Sequence, residues 1–154
     1  IELETISSAL AGFQGVKRRM EILASCEDYV IYDDFAHHPT EIFKTLFSLR
    51  EKIGNDQIIA LIEPRSRTMQ SGLHDKEMAK ALSPADSVIW YEGQDVKRSM
   101  SAELKKAKAE VYFAANISEI IQITRQIKTT KSNIVIMSNG DFSGLRELIK
   151  KELD

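Results

Sequence analysis

The strongest constraint on the fold of this 154-residue chain is an alternation of two periodicities. Ile58–Ile62 is a continuous apolar run, as suits a strand buried on both faces. Before it, Ile42, Leu46, Leu49 and Ile53 form a helical stripe, widened by Phe43 and Phe47. Pro39 stands where a first helical residue tolerates proline, and Gly54 follows the last turn, so the spacing predicts a helix over Pro39–Ile53. The same exchange recurs along the chain. Strands are expected at Asp86–Tyr91, Glu110–Ala114 and Asn133–Met137, and helices at His74–Leu82, Ser101–Lys108, Ile117–Ile127 and Ser143–Leu153. Asn116 and Glu119 make a capping-box-like pair at the start of one of these helices. Ahead of the alternation, Met20–Ser25 and Tyr29–Phe35 read as strands joined by the short polar link Cys26-Glu27-Asp28, which favours an antiparallel pair. Strand–helix alternation means a mostly parallel sheet with helices on both faces. The expected fold is therefore α/β, a Rossmann-like three-layer sandwich of about six strands with one antiparallel strand.

Composition excludes several partner classes. Lys+Arg 21 against Asp+Glu 23 gives a net charge of −2, whereas general nucleic-acid binding and attachment to anionic membranes show as a basic excess. No apolar run approaches the roughly 20 residues that span a bilayer. The single Cys26 leaves no intrachain disulfide framework and points to a reducing, cytoplasmic setting. The chain opens at Ile1 inside a helical pattern that Gly12 and Gly15 stop. The expectation is that residues 1–14 are the tail of a preceding domain and residues 15–154 one domain.

In such folds ligands bind beyond the carboxyl ends of the strands. That rule selects Asp33–Thr40, Glu63–Gly72 and Ser138–Gly144. The first holds Asp33, Asp34, His37 and His38 ahead of a helix N-terminus. Metal binding is disfavoured there, because adjacent residues on extended backbone point to opposite faces and only His74 is left elsewhere. A phospho-aspartate mechanism would want an acid where Phe35 stands. Two readings stay open: a capping and turn cluster, with acids at the positive helix end, or nucleotide contact, with a carboxylate accepting ribose hydroxyls. In the second segment, Arg65 and Arg67 bring guanidinium forks matched to carboxylate and phosphate, against the alternative of surface ion pairs. The third is either an anion site of backbone amides or a turn using Gly140 for backbone freedom and Ser143 as a cap. A fourth segment, Gly15–Glu21, carries Lys17, Arg18 and Arg19 in a row. It suits phosphate, or is a solvated basic turn. No G-x-x-x-x-G-K-[ST] and no G-x-G-x-x-G occurs, so the chain lacks the usual glycine loop for a triphosphate.

In combination and order, Val16-Lys17-Arg18-Arg19, Asp33-Asp34-Phe35-Ala36-His37-His38-Pro39-Thr40, Glu63-Pro64-Arg65-Ser66 with Thr68-Met69, and Met137-Ser138-Asn139-Gly140 with Phe142 resemble the C-terminal domain of the Mur ligases. These are the ATP-dependent amide-forming enzymes of peptidoglycan synthesis. Within the family the motifs look most like the member that joins UDP-N-acetylmuramate to the murein tripeptide L-Ala-γ-D-Glu-meso-diaminopimelate during recycling. The resemblance implies that ATP phosphorylates the muramate carboxylate, that the peptide amine attacks the acyl phosphate, and that Mg²⁺ neutralises phosphate charge. The glycine loop and metal ligands would lie in a central domain, and the UDP site in an N-terminal one. Here Arg19 matches the arginine that reaches the ATP phosphates on closure and so carries the catalytic role, and Asp34 matches the acid that holds the ribose. His37 and His38 would face the shared cleft, and Arg65, Arg67, Ser138, Asn139 and Phe142 would border the incoming substrate. No metal ligand is expected in this domain. Asp141 departs from the expected small residue, and its charge would oppose a peptide carboxylate.

Rival readings are the corresponding domain of the UDP-N-acetylmuramate–L-alanine ligase, a free-standing nucleotide- or phosphosugar-binding module, and a small hydrolase using Asp34 and His37.

Overall fold

The computed structural model describes residues 2–11, 16–65, 69, 74–94 and 99–153. Its strands are β1 (Glu21–Ser25), β2 (Tyr29–Asp34), β3 (Ile58–Ile62), β4 (Ser87–Tyr91), β5 (Glu110–Ala114) and β6 (Ser132–Met137). The helices bounded within the described residues are α1 (Leu3–Ala11), α2 (Pro39–Ile53), α3 (Asp75–Ala81), α4 (Ser101–Leu104), α5 (Ile117–Ile127) and α6 (Leu145–Glu152), with a 3₁₀ turn at Phe142–Gly144. They build one six-stranded sheet in the order β1-β2-β6-β3-β4-β5. Only β1 runs antiparallel, against β2, and every other neighbouring pair is parallel. The expected fold is the observed one.

The period-2 alternation of each strand divides the core. Ile58, Ala60 and Ile62 face one layer with Val88, Trp90, Val135 and Met137, covered by Ile42 and Leu46 of α2, Met78 of α3 and Leu104 of α4. Ile59 and Leu61 face the other with Ile89, Ile134 and Ile136, covered by Ile120 and Ile121 of α5 and Leu145 and Ile149 of α6. Between β2 and β3 the chain passes over β6, whose strand is supplied later from the far edge through α5. The helix after β2 thus covers one face and the helix after β6 the other, which opens a crevice at the carboxyl ends of β2, β6 and β3.

Two helices differ from expectation. The one expected over Ser101–Lys108 ends at Leu104, the single buried side chain of its four residues. Among the next residues, Lys105, Lys106 and Lys108 bring like charges that disfavour its extension. The last helix starts at Leu145, after the 3₁₀ turn, and Gly144 rather than Ser143 is its N-cap residue. On α1, Leu3 and Ile6 are exposed. No described helix is long and apolar enough to cross a membrane.

Candidate functional site

Because β1 is antiparallel, its start lies at the same edge as the ends of the parallel strands. Val16–Met20 therefore meets the segments that follow β2, β6 and β3, three strands adjacent in the sheet. Backbone bonds sew them together: Phe35 N–H donates to Arg18 O at 2.8 Å, Ser138 N–H to Asp34 O at 3.2 Å, and Glu63 N–H to Met137 O at 3.1 Å.

The two neighbouring acids at the end of β2 have different duties. Asp33 is 1% exposed, and its Oδ2 lies 3.4 Å from Arg18 Nε and 2.9 Å from Arg146 Nε. Arg18 Nη2 also donates to the carbonyls of Ser138 and Gly140, and Arg146 Nη1 donates to Gly140 O at 3.1 Å and Asp141 O at 2.7 Å. Truncating one partner of such a buried pair typically costs about 3–5 kcal/mol, because the other charge is stranded. Asp34 is 3% exposed and organises backbone: its Oδ2 accepts from Met20 N–H at 3.0 Å, and its Oδ1 from Ala36 N–H at 2.9 Å and Thr45 Oγ1 at 3.3 Å. A carboxylate offers about four acceptor positions, so Oδ2 keeps capacity for one further donor.

Glu63, at the end of β3, is also buried. It accepts a short hydrogen bond from Ser138 Oγ, which in turn accepts Gly140 N–H at 2.9 Å. Arg65 Nη1 stands 4.0 Å from the other carboxylate oxygen of Glu63. Its side chain crosses Gly140: a Cβ there would meet Arg65 Nη1 at 2.6 Å. One of the two readings of this loop had Gly140 supply a special backbone angle, but among the described residues the positive-φ glycines are Gly54 and Gly144. Its use is clearance for Arg65.

Arg19 is, with Lys17, an exposed cation of the edge. Its guanidinium carbon sits 5.6 Å from the centroid of the Phe35 ring, with that of Arg18 at 5.0 Å, and it makes no ion pair among the described residues. His37 Nδ1 lies 3.0 Å from Phe35 O, which leaves Nε2 uncommitted among the described residues. His38 caps α2, its Nδ1 accepting from Thr40 N–H at 3.4 Å, and its ring packs edge-on against His74 with centroids 4.5 Å apart. The two adjacent imidazoles diverge, as extended backbone requires. Among the described residues no three His, Cys, Asp or Glu side chains converge as a metal set.

The loop after β6 separates its residues by depth. Ser138 and Phe142 are both 0% exposed, and Phe142 packs edge-on against Tyr91 with centroids 5.5 Å apart. Their side chains therefore support the loop and have no surface to offer the substrate they were expected to border. Asn139 is partly exposed, with a buried Oδ1 lacking a hydrogen-bond partner. Asp141, where a small residue was expected, caps the 3₁₀ turn by accepting Gly144 N–H at 3.1 Å. Phe142, Ser143 and Gly144 take φ of 53°, 49° and 73°, three successive left-handed residues. Arg18 and Met20 add φ of 58° and 52° on the facing segment. Such non-glycine positions cost about 1–3 kcal/mol each and persist where surrounding contacts over-determine them. Arg67 lies outside the described residues.

Sequence reasoning missed Arg146, Phe35 as the platform for two arginines, and Thr45. One signal for Arg146 was present: a cation in the first turn of a helix opposes the helix dipole, and so calls for a local acid.

The profile of the family described as "Mur ligase, glutamate ligase domain" matches residues 18–140. Among curated relatives, the UDP-N-acetylmuramate–L-alanyl-γ-D-glutamyl-meso-2,6-diaminoheptandioate ligase of Haemophilus influenzae is 33% identical over 154 residues, covering 99% of this chain and 34% of its own. The UDP-N-acetylmuramate–L-alanine ligase of Streptococcus agalactiae is 46% identical over 148 residues, covering 92% of this chain and 32% of its own. A crystal structure of a murein peptide ligase from Psychrobacter arcticus superposes with a TM-score of 0.81 at 34% identity, over 97% of this chain and 32% of that one. The chain thus spans about a third of the length of the relatives it matches. With the family match covering most of its residues, the chain belongs to the Mur ligase family, as a glutamate ligase domain.

Proposed function

We propose that this chain is the C-terminal domain of an ATP-dependent ligase that joins UDP-N-acetylmuramate to the murein tripeptide in peptidoglycan recycling, in the cytoplasm. Its partners would be the N-terminal and central domains of the same polypeptide. Residues 1–14, with Leu3 and Ile6 of α1 exposed, would belong to the preceding domain. The observation that carries this reading is the division of labour between adjacent arginines. Arg18 is committed to buried partners, whereas Arg19 is held on an aromatic ring with no ion pair among the described residues, as suits a group that meets phosphate on closure.

In the proposed reaction the muramate carboxylate attacks the γ-phosphorus of ATP and ADP leaves. The tripeptide amine then attacks the acyl carbon, and phosphate departs from the tetrahedral intermediate. Mg²⁺, held chiefly by the central domain, would neutralise phosphate charge. This chain would contribute closure. Arg19 would stabilise the transferring phosphoryl group, and the remaining acceptor of Asp34 would take a ribose hydroxyl. His37 and His38 would line the nucleotide side. Arg65 and Arg67, with Asn139, would meet carboxylates of the tripeptide, a substrate rich in them.

A second reading, the L-alanine ligase of the same pathway, is favoured by the 46% identity to the Streptococcus agalactiae enzyme. Supplying the full-length protein with UDP-N-acetylmuramate, ATP and either amine separates the two. Amide formation with the tripeptide and not with L-alanine supports the proposal; the opposite preference overturns it. Arg19→Ala should lower kcat more than it raises KM, because the contact forms on closure. An unchanged kcat would remove that residue from the mechanism.

A further inference from the structure

We propose that Arg18, Asp33 and Arg146 act as one positioning unit, which locks the segment before β1 to the loop after β6 and so sets where Arg19 presents its charge. The inference rests on the reading of Arg19 as the phosphate contact.

The contacts close a ring. Both guanidinium groups pair with the same oxygen of Asp33, Arg18 at 3.4 Å and Arg146 at 2.9 Å. Both also donate to one carbonyl, that of Gly140, at 2.9 and 3.1 Å. Asp33 is on β2, Arg146 is on α6, and Arg18 precedes β1, so three elements meet in one charge cluster. The side chains of Asp33 and Arg146 are 2% and 15% exposed and that of Arg18 is 31% exposed, so a buried acid and arginine are closed off at the surface by Arg18. Two guanidiniums on one carboxylate leave an excess positive charge, and the peptide carbonyls of Ser138, Gly140 and Asp141 absorb it.

Arg19 sits between two anchored residues. On one side, Arg18 is held by its side chain, by its N–H to Glu21 Oε2 at 2.9 Å and by its carbonyl, which accepts Phe35 N–H. On the other, Met20 N–H reaches Asp34 Oδ2. Left-handed φ at both Arg18 and Met20 turns neighbouring side chains to different environments, Arg18 toward Asp33 and Arg19 to the exposed side. Release of Arg146 would leave Asp33 with a single partner and free the loop carbonyls, so the disturbance would reach Arg19 from the opposite end of the chain. Displacing a catalytic group by about 1 Å can cost about a hundredfold in rate.

The first test uses this chain and amide hydrogen exchange. Arg146→Met should quicken exchange at Met20 and Phe35 by about tenfold, as expected for a locally loosened segment, while amides of β3 and β4 keep their rates. Faster exchange confined to residues 140–146 would overturn the proposal. If Arg146→Met does not fold, Arg146→Lys, which keeps the charge but loses the fork, should show a smaller rise at the same two amides, and no rise there counts against the unit. The second test uses the full-length ligase. Arg146→Lys should lower kcat by about tenfold or more, with the KM for the amine substrate unchanged, and should have no further effect on top of Arg19→Ala. Multiplying effects in the double variant would show that Arg146 does not act through Arg19. Should Arg19→Ala itself leave kcat intact, the phosphate-contact reading falls, and the exchange measurement decides the positioning unit on its own.

Discussion

Replacing Phe142 by Ala distinguishes a core residue from a substrate contact. The ring is wholly buried in the layer formed by Ile59, Leu61, Ile136 and Leu145, and it stacks edge-on against Tyr91 at 5.5 Å. Truncating a buried Phe costs about 3–5 kcal/mol, combining lost transfer energy and the cavity left behind. The aromatic pair contributes about 0.5–1.5 kcal/mol beyond area burial. At about 2–4 °C per kcal/mol for a domain of this size, the midpoint should fall by about 6–20 °C. Because a domain commonly has about 5–15 kcal/mol in total, the variant remains folded only if the parent is not at the low end. Phe142→Leu, expected to cost less than about 1.5 kcal/mol, keeps the measurement possible. The assay is urea unfolding of this chain at constant temperature, with the slope checked for constancy. A loss under about 1 kcal/mol for Phe142→Ala, with an unchanged slope, would refute the burial argument and return the ring to the substrate side.

The other predictions concern charge and backbone at the same edge. Asp34→Asn should cost about 1–3 kcal/mol, since an amide NH₂ would face one of the N–H groups of Met20 and Ala36; Arg19→Ala should stay within about 1 kcal/mol, both read by urea unfolding, and equal losses would contradict the division between supporting and presented charge. Ser143→Gly should raise stability by about 0.5–1 kcal/mol by relieving a left-handed serine, whereas Gly144→Ala should lower it by about 1–2 kcal/mol with no clash; a thermal scan that ranks them the other way would discount the strain. Burial pushes the Tyr32 phenol above its ordinary value of 10.0. Its stabilising effect should be fully present below about pH 10 and lost as pH rises through the folded-state value. Tyr32→Phe should flatten that alkaline decline in denaturation midpoints, and an identical decline in both proteins would rule it out.

The architecture was legible because each element advertises its own period. Ile58–Ile62 is apolar at every position and forms β3 with those bounds, and Pro39–Ile53 begins and ends where its proline and glycine indicate. The short link Cys26-Glu27-Asp28 signalled the antiparallel β1. That one reversal brings Arg18 and Arg19 to the edge shared by the loops of β2, β6 and β3. The motifs were likewise visible as residue types at strand ends. Their individual duties were not. Asp33 and Asp34 are adjacent and chemically alike, yet one neutralises two arginines and the other holds backbone amides. Phe142 and Asn139 share a loop, yet one is core and the other reaches the surface.

The sequence by itself therefore determined the layers, the strand order's parallel character and the three loops from which a site is built, since these follow from local periodicity and short connections. Tertiary structure alone decided which charges are buried and which are presented. Arg146 is remote from Arg18 in the chain and is joined to it only through Asp33 and the carbonyl of Gly140. Partnership between charges depends on distance and desolvation, and both are set by how the elements pack.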